Sequence, residues 1–354
     1  MTGPAATGVA PPALTAVATR IEGALDEILK AERTRWAGFD PALDAPLGDL
    51  ADFVAGGGKR IRPAYCHWGW VAAGGEPSGE GAVAAGCALE LLHAFALVHD
   101  DVMDGSPTRR GHPTVWARFI DRHQAGGWRG EDRRFGEAAA VLVGDIAMVM
   151  ADRTRGSASP AARAVWDDLR TELNMGQYLD VVGTARGDVT AEQARTIMRN
   201  KTAGYTIVRP LQLGAALAGR ADLHDALAAH GMPLGIAFQL RDDMLGAFGD
   251  SDRTGKPVGD DLREGKPTVL LARARETADD EQRAVLDRVG TPMDDADVAA
   301  IQQVMVDTGA VAACEAEIEA LLAEATTAID RVPDVNGSRS ALESLADYVV
   351  ERDI

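Results

Sequence analysis

Gly81 to Pro113 reads "GAVAAGCALELLHAFALVHDDVMDGSPTRRGHP", and the fold turns on how its apolar run ends. Gly81–His99 is long enough to cross a membrane, but it carries Glu90 and His93 and runs directly into Asp100 and Asp101. A helix buried inside protein accounts for it better than a membrane span. A helix advances about 100° per residue, so Asp100 and Asp104 sit about 40° apart on one face, with Asp101 to one side. Carboxylates so close repel one another, and acids are disfavoured at a helix C-terminus. Either this is an acidic, solvated helix end, or a cation neutralises it. Hard oxygen donors in an open arrangement suit Mg²⁺, which keeps waters and shares phosphate oxygens.

Two other stretches bear on that choice. "GIAFQLRDDMLGAFGD" repeats the pattern, an apolar helical run ending in the pair Asp242 and Asp243, and the loop "SDRTGKPVGDDLREGKPT" adds Lys256, Lys266, Asp260 and Asp261. Opposed acidic sets, each followed by basic residues, fit several Mg²⁺ ions around a polyphosphate. "AGGGKRIRP", Ala55 to Pro63, places Lys59, Arg60 and Arg62 after glycines at the start of a helix. Backbone N–H groups and guanidinium groups there can cradle a phosphate, although the GxxxxGK[ST] spacing is absent.

Around these motifs the chain reads as helix. Apolar residues recur every three or four positions over about 17–36, 60–73, 80–104, 136–156, 160–184, 190–219, 223–248, 266–276, 295–331 and 338–351, with no convincing period-2 run. No composition break marks a linker, so a single all-α domain over 17–354 is expected, after a disordered tail over 1–16. That N-terminal stretch lacks the basic region and apolar core of a signal peptide. The net charge of -18 argues against nucleic-acid binding and against docking on an anionic membrane. Cys66, Cys87 and Cys314 lie far apart without zinc-like spacing, which favours a reduced, cytoplasmic setting.

The chain resembles the trans-isoprenyl diphosphate synthases, the polyprenyl synthetases that include farnesyl and geranylgeranyl diphosphate synthases. The resemblance covers about residues 50–275 and rests on motifs in the expected order: "GGKRIRP", "DDVMD" with "RRG", "GQYLD", "KTAGYT", and "FQLRDD" with its lysine loop. It implies a bundle of about ten or more helices around a central apolar cavity, and Mg²⁺-dependent condensation of isopentenyl diphosphate with an allylic diphosphate. By that resemblance Lys59, Arg62, His93 and Arg110 hold isopentenyl diphosphate, and Asp100, Asp101 and Asp104 with Asp242 and Asp243 hold three Mg²⁺ ions. Arg109, Lys201, Lys256 and Lys266 contact the allylic diphosphate, while Lys201, Thr202, Tyr205 and Gln239 surround the developing carbocation. Gln177 and Asp180 fall near the metals, His99 is either structural or a support behind Asp100, and Arg60 and Asp261 are electrostatic neighbours without a sharp role. One position departs from the pattern: Gly246 stands where the second motif often has its last aspartate, so a water or a nearby acid must serve there if three metals bind. A homodimer is the family expectation.

Product length, again by resemblance, depends on the residues four and five before Asp100, Ala96 and Phe95. A bulky Phe95 opposes very long products and a small Ala96 opposes the shortest, which favours geranylgeranyl diphosphate (C20), with farnesyl diphosphate (C15) or a longer chain as the alternatives. A class I terpene cyclase would share the helical cavity but would not need the second diphosphate site made by "GGKRIRP", His93 and Arg110. A non-catalytic regulatory subunit of a heteromeric synthase would be expected to lose motif aspartates or lysines, and nearly all are present.

Overall fold

A proline in the first turn and apolar residues at helical spacing start helix α1, Pro12–Trp36, which buries Leu14, Val17, Ile21, Leu25 and Leu29. The computed structural model describes residues 9–156, 158–249 and 258–350. Residues 12–16, expected in a disordered tail, are therefore helical, and residues 1–8 lie outside the described part. Pro11 and Pro12, compatible with a helix start but not with its interior, were the signal for this boundary.

The helices that follow are α2 (Asp44–Ala55), α3 (Ile61–Ala72), α4 (Glu80–Met103), α5 (Val115–Gly126), α6 (Asp132–Arg155), α7 (Pro160–Arg186) and α8 (Ala191–Met198). A π-helical segment, Arg199–Val208, leads into α9 (Arg209–Leu217) and α10 (His224–Phe248). The chain ends in α11 (Asp260–Glu264), α12 (Val269–Thr277), α13 (Asp280–Leu286), α14 (Asp295–Asp307), α15 (Ala310–Ala328) and α16 (Ser338–Val350). The strands among the described residues are the two-residue pair Thr108–Arg109 and His112–Pro113.

Several boundaries differ from the periodicity reading. Helices α2 and α5 were not expected: both are short, α2 carries Pro46 and Gly48, and α5 is interrupted by Arg118, Asp121 and Arg122, so neither shows a long apolar stripe. The expected helix over 295–331 is broken at Thr308 and Gly309, where Gly309 takes a φ of 75° between α14 and α15. The expected helix over 190–219 is three pieces, because the backbone widens into the π segment.

Helix α4 lies at the centre. Its buried residues run all round the axis, from Ala82 through Leu89, Leu91 and Leu92 to Val98 and Asp101, and it packs chiefly on α6 and α3. It is the one helix among the described residues long and apolar enough to cross a membrane, and most of it is inside the fold. One apolar cluster gathers α1, α4, α6 and α7 through Leu25, Leu92, Val143 and Trp166. Another gathers α3, α9, α10, α12, α15 and α16 through Tyr65, Leu211, Leu234, Leu270, Ile318 and Leu345. A cavity opens where the two clusters meet.

Candidate active site

The cavity has a volume of about 1030 Å³, as large as small-molecule sites usually are. Lys59, Arg62, His93, Ala96, Asp100, Arg110, Lys201, Thr202, Tyr205, Gln239, Asp242, Asp243 and Lys266 all line it, which brings most of the sequence candidates to one place. Apolar wall comes from Leu97, Leu173, Ile197, Met198 and Phe238.

One end is acidic. The last turns of α4 and α10 carry Asp100 and Asp104, and Asp242 and Asp243, towards each other, with Lys266 between: its ammonium lies 3.7 Å from Asp104, 3.4 Å from Asp261 and 2.7 Å from Glu264. Ser106 donates to Glu264 at 3.1 Å, tying the loop after α4 to α11. Lys201 bonds Asp180 at 2.6 Å and lies 3.4 Å from Asp100, and Gln177 donates to Asp100 at 2.8 Å. The "GQYLD" and "KTAGYT" motifs therefore meet here, and the contact depends on Gly176: a Cβ there would lie 2.8 Å from the Lys201 Cα. The π segment that carries Lys201 and Tyr205 packs backbone-close against α7, a local widening of the kind found at functional sites.

Burial opposes ionisation of Asp100, but Lys201, Arg109 and Lys266 outweigh it and hold the carboxyl below its ordinary value. Burial, reinforced by Asp100, pushes Asp104 up to about 6. Burial also raises Asp243 well above the usual carboxylate range; Gln239, donating to it at 2.7 Å, offsets this in part, while Asp261, Asp242 and Asp180 add to it. Asp101 behaves differently from its neighbours. It is 1% exposed and accepts from Arg109 Nε at 2.7 Å, and Asp101, Asp104 and Arg109 all lie outside the cavity lining that includes Asp100. Arg109 is thus engaged with Asp101 and, at 3.4 Å, with Asp100.

The other end is basic. Arg62 donates to Thr206 at 3.0 Å and lies 4.3 Å over the Tyr205 ring, and the Lys59 ammonium is 5.3 Å from the ring of Tyr348 on α16. Burial and the nearby Arg62, Arg110, Arg109 and Arg60 hold His93 far below its usual pKa, so its imidazole is neutral. The Nδ1 of His93 and the hydroxyl of Tyr205 are buried with no partner among the described residues, polar atoms that an incoming ligand would satisfy.

Backbone strain concentrates at this end. Arg60 and Arg110 have φ of 51° and 53°, and the only other such non-glycine residue among those described is Asn336. Arg60 turns its guanidinium inward to Glu90 at 2.6 Å and to the Val54 carbonyl at 2.7 Å. Arg110 and Gly111, both with positive φ, turn the Thr108–Pro113 hairpin, and the Arg110 guanidinium bonds the Gly57 carbonyl. Such conformations cost about 1–3 kcal/mol each and persist where the surroundings impose them.

A family model described as polyprenyl synthetase matches residues 45–308. The chain belongs to the polyprenyl synthetase family. The geranylgeranyl pyrophosphate synthase of Corynebacterium glutamicum, solved in complex with isoprenyl diphosphate and magnesium, superposes with a TM-score of 0.90 at 38% identity, covering 96% of this chain and 99% of that one. The geranylfarnesyl diphosphate synthase of Aeropyrum pernix is 32% identical over 87% of this chain and 95% of its own length. The (2E,6E)-farnesyl diphosphate synthase of Mycobacterium tuberculosis is also 32% identical, over 83% of this chain and 80% of its own. This polyprenyl synthetase is accordingly a prenyltransferase that condenses prenyl diphosphates in the trans series, with the all-α fold of its relatives. Products of different length occur among relatives of equal identity, so overall similarity does not select one.

Other features of the polyprenyl synthetase lie beyond the motif reading. Glu90 and Tyr348 line the cavity, and Glu264 takes part in the acidic end beside Asp261, which the motifs had named without a sharp role. Glu90 had a signal: a carboxylate in an apolar helix needs a buried cation, and Arg60 was the unassigned cation nearby in the motif list. Tyr348 had none, because α16 is remote in sequence from every motif. Phe95 is buried with its ring 4.7 Å from His99, which in turn meets the Val141 carbonyl on α6; Ala96, not Phe95, is in the cavity lining. Lys256 lies outside the described residues.

Proposed function

We propose that this polyprenyl synthetase makes geranylgeranyl diphosphate from isopentenyl diphosphate and allylic diphosphates, using Mg²⁺, in the cytoplasm and as a homodimer. The observation that carries the reading is one cavity with two oppositely charged ends. A cyclase has one diphosphate to hold and no use for the basic end. Here Lys59, Arg62, His93 and Arg110 would receive the isopentenyl diphosphate directly, and the acidic end would receive the allylic diphosphate together with cations.

The donor set at the acidic end fits magnesium. It consists of carboxylates from two helices, and among the described residues no three His, Cys, Asp or Glu side chains converge into a ready-made cage. Mg²⁺ is commonly held in just this way, by one or two carboxylates plus substrate phosphates and water. Asp100, Asp104, Asp242 and Asp243 would hold the ions, three if the family expectation applies. When bound, they neutralise the charge that grows on the departing pyrophosphate.

The chain's own groups do the rest. Lys201 and Lys266 place positive charge beside the leaving diphosphate. The allylic C1–O bond breaks and pyrophosphate departs with the electron pair. C4 of the isopentenyl unit attacks C1, and the proton on C2 of that unit passes to the departing pyrophosphate, giving a new alkene and protonated pyrophosphate. Tyr205, Thr202 and Gln239 line the space where the cation forms; Gln239 spends its N–H on Asp243, which leaves its carbonyl oxygen for the cation. Leu97, Leu173 and Phe238 exclude water that would capture it. Ala96 and Phe95 bear on product length, and a Phe95→Ala product that is no longer than the wild-type one would remove Phe95 from that role.

Exposed apolar side chains support the dimer. Leu142 and Val149 on α6, and Met175, Tyr178 and Val181 on α7, are large apolar side chains left exposed, which a second copy of the chain would cover. Three free, buried thiols at Cys66, Cys87 and Cys314 accord with a reducing compartment.

The experiment is product analysis after incubation with labelled isopentenyl diphosphate, Mg²⁺ and each of the C5, C10 and C15 allylic diphosphates, beside a chelator control. A metal-dependent C20 alcohol after dephosphorylation is expected. A cyclic hydrocarbon from the allylic substrate alone would move the chain to the cyclases, and no product from any primer would point to a non-catalytic subunit.

A further inference from the structure

We propose that Thr206, the last residue of "KTAGYT", is a positioning residue for isopentenyl diphosphate: it fixes the orientation in which Arg62 presents its remaining N–H groups to the diphosphate. The inference rests on the reading of the basic end as the isopentenyl diphosphate site. Thr206 is 1% exposed and lies outside the cavity lining, so it reaches a substrate only through another residue. Its hydroxyl oxygen accepts from Arg62 Nη2 at 3.0 Å, across 144 residues of sequence. Arg62 does line the cavity, together with His93 and Tyr205. Tyr205 and Thr206 are neighbours on the π segment Arg199–Val208, which also carries Lys201, so one segment serves both ends of the cavity.

Two contacts hold the guanidinium. The Tyr205 ring, its centroid 4.3 Å from the guanidinium carbon, limits where the group can lie, and the Thr206 hydroxyl on its edge limits how it can turn. A planar fork held at two points aims its other donors, whereas one held at a single point can swing. Arg62 carries five N–H donors; one goes to Thr206, and its Nε is buried with no partner among the described residues. His93 Nδ1 and the Tyr205 hydroxyl are likewise buried and unpartnered, with the two rings 6.2 Å apart. Three such atoms about the Tyr205 ring are costly until a ligand meets them, and the oxygens of a diphosphate accept from a guanidinium in charge-assisted bonds.

The test uses the full chain and isopentenyl diphosphate, titrated by calorimetry in a chelator buffer and varied in steady-state assays with an allylic diphosphate and Mg²⁺. Thr206→Val keeps the shape of the side chain and removes the hydroxyl. It is expected to weaken isopentenyl diphosphate about tenfold in both Kd and KM, the scale of a hydrogen bond to a charged group. The fall in kcat should be less than about twofold, and the KM for the allylic diphosphate should not move. Thr206→Ser, which restores the hydroxyl, is expected to return the wild-type values. In an Arg62→Lys background the same Thr206→Val change should add less than about twofold, because the group it positions is gone. A merely structural hydroxyl would lower Tm and leave the KM for isopentenyl diphosphate where it was. Wild-type Kd in Thr206→Val, equal weakening of both substrates, a serine variant as weak as the valine one, or a further tenfold loss in the Arg62→Lys background overturns the proposal. Failure of the wild-type chain to bind isopentenyl diphosphate without metal would instead overturn the reading of the basic end.

Discussion

At the basic end of the cavity the protein supplies its own counter-charge: Arg60 is tied to Glu90 and Val54, Arg62 to Thr206, and two strained arginines fix the loops that carry them. At the acidic end, the carboxylates of α4 meet Lys201, Lys266, Arg109 and Gln177, Asp243 on α10 accepts from Gln239, and burial pushes Asp104 and Asp243 towards their protonated forms. The basic end is therefore built before its ligand arrives. The acidic end is frustrated until cations enter. Under the proposed function, an anion would dock at the first unaided, whereas at the second it would need metal to cancel the repulsion.

The largest effect expected from that difference is on turnover. Asp100→Ala should lower kcat/KM for the allylic diphosphate by on the order of 10³-fold, while isopentenyl diphosphate still binds; calorimetry in a chelator buffer checks the second half. Loss of isopentenyl diphosphate binding on chelation would break the comparison.

Next comes the prewired end. Glu90→Ala removes the buried carboxylate from the Arg60 guanidinium, whose side chain is 5% exposed and keeps only the half-exposed Glu22, at 3.5 Å, and the Val54 carbonyl. It should destabilise the fold by about 3 kcal/mol, measured by urea denaturation. A change within error would show that the Arg60–Glu90 pair does not fix the loop.

A smaller effect is expected from pH. Burial and Asp100 put the folded pKa of Asp104 at about 6, above its ordinary value of 3.8, so between these values the native state holds more protons than the unfolded. This carboxyl therefore costs the metal-free protein stability as pH rises through that window, and cations relieve the cost. The Tm gain from Mg²⁺ with pyrophosphate should be about 2 °C larger near pH 7.5 than near pH 5.5; an equal gain would show that Asp104 does not meet the cation. Least affected in rate should be Ala96→Phe, which narrows the wall below Asp100 and should shorten the main product by one isoprene unit, read by chromatography of the dephosphorylated alcohols.

Much of the site was legible because its chemistry is local. An acid pair one turn apart at a helix end, or lysine and arginine after a glycine run, can be read from neighbours in the chain. What escaped depends on groups distant in sequence. Asp101 looks equivalent to Asp100, but the helix rotates it inward to Arg109. The π segment is invisible to periodicity, and so is its close packing on α7, which Gly176 permits beside Lys201. Helices α2 and α5 were missed because short, polar helices are stabilised by packing more than by pattern.

Sequence alone determined that the chain is helical, that two acidic helix ends and one basic loop belong to a polyprenyl synthetase, and which side chains could bear charge at a diphosphate. Tertiary structure decided which of those charges face the cavity and which pair off within the fold. The division has a physical cause: helix periodicity acts over four residues, whereas repulsion, burial and steric exclusion act between whichever groups the packing of α4, α7, α10 and α11 brings within a few ångströms.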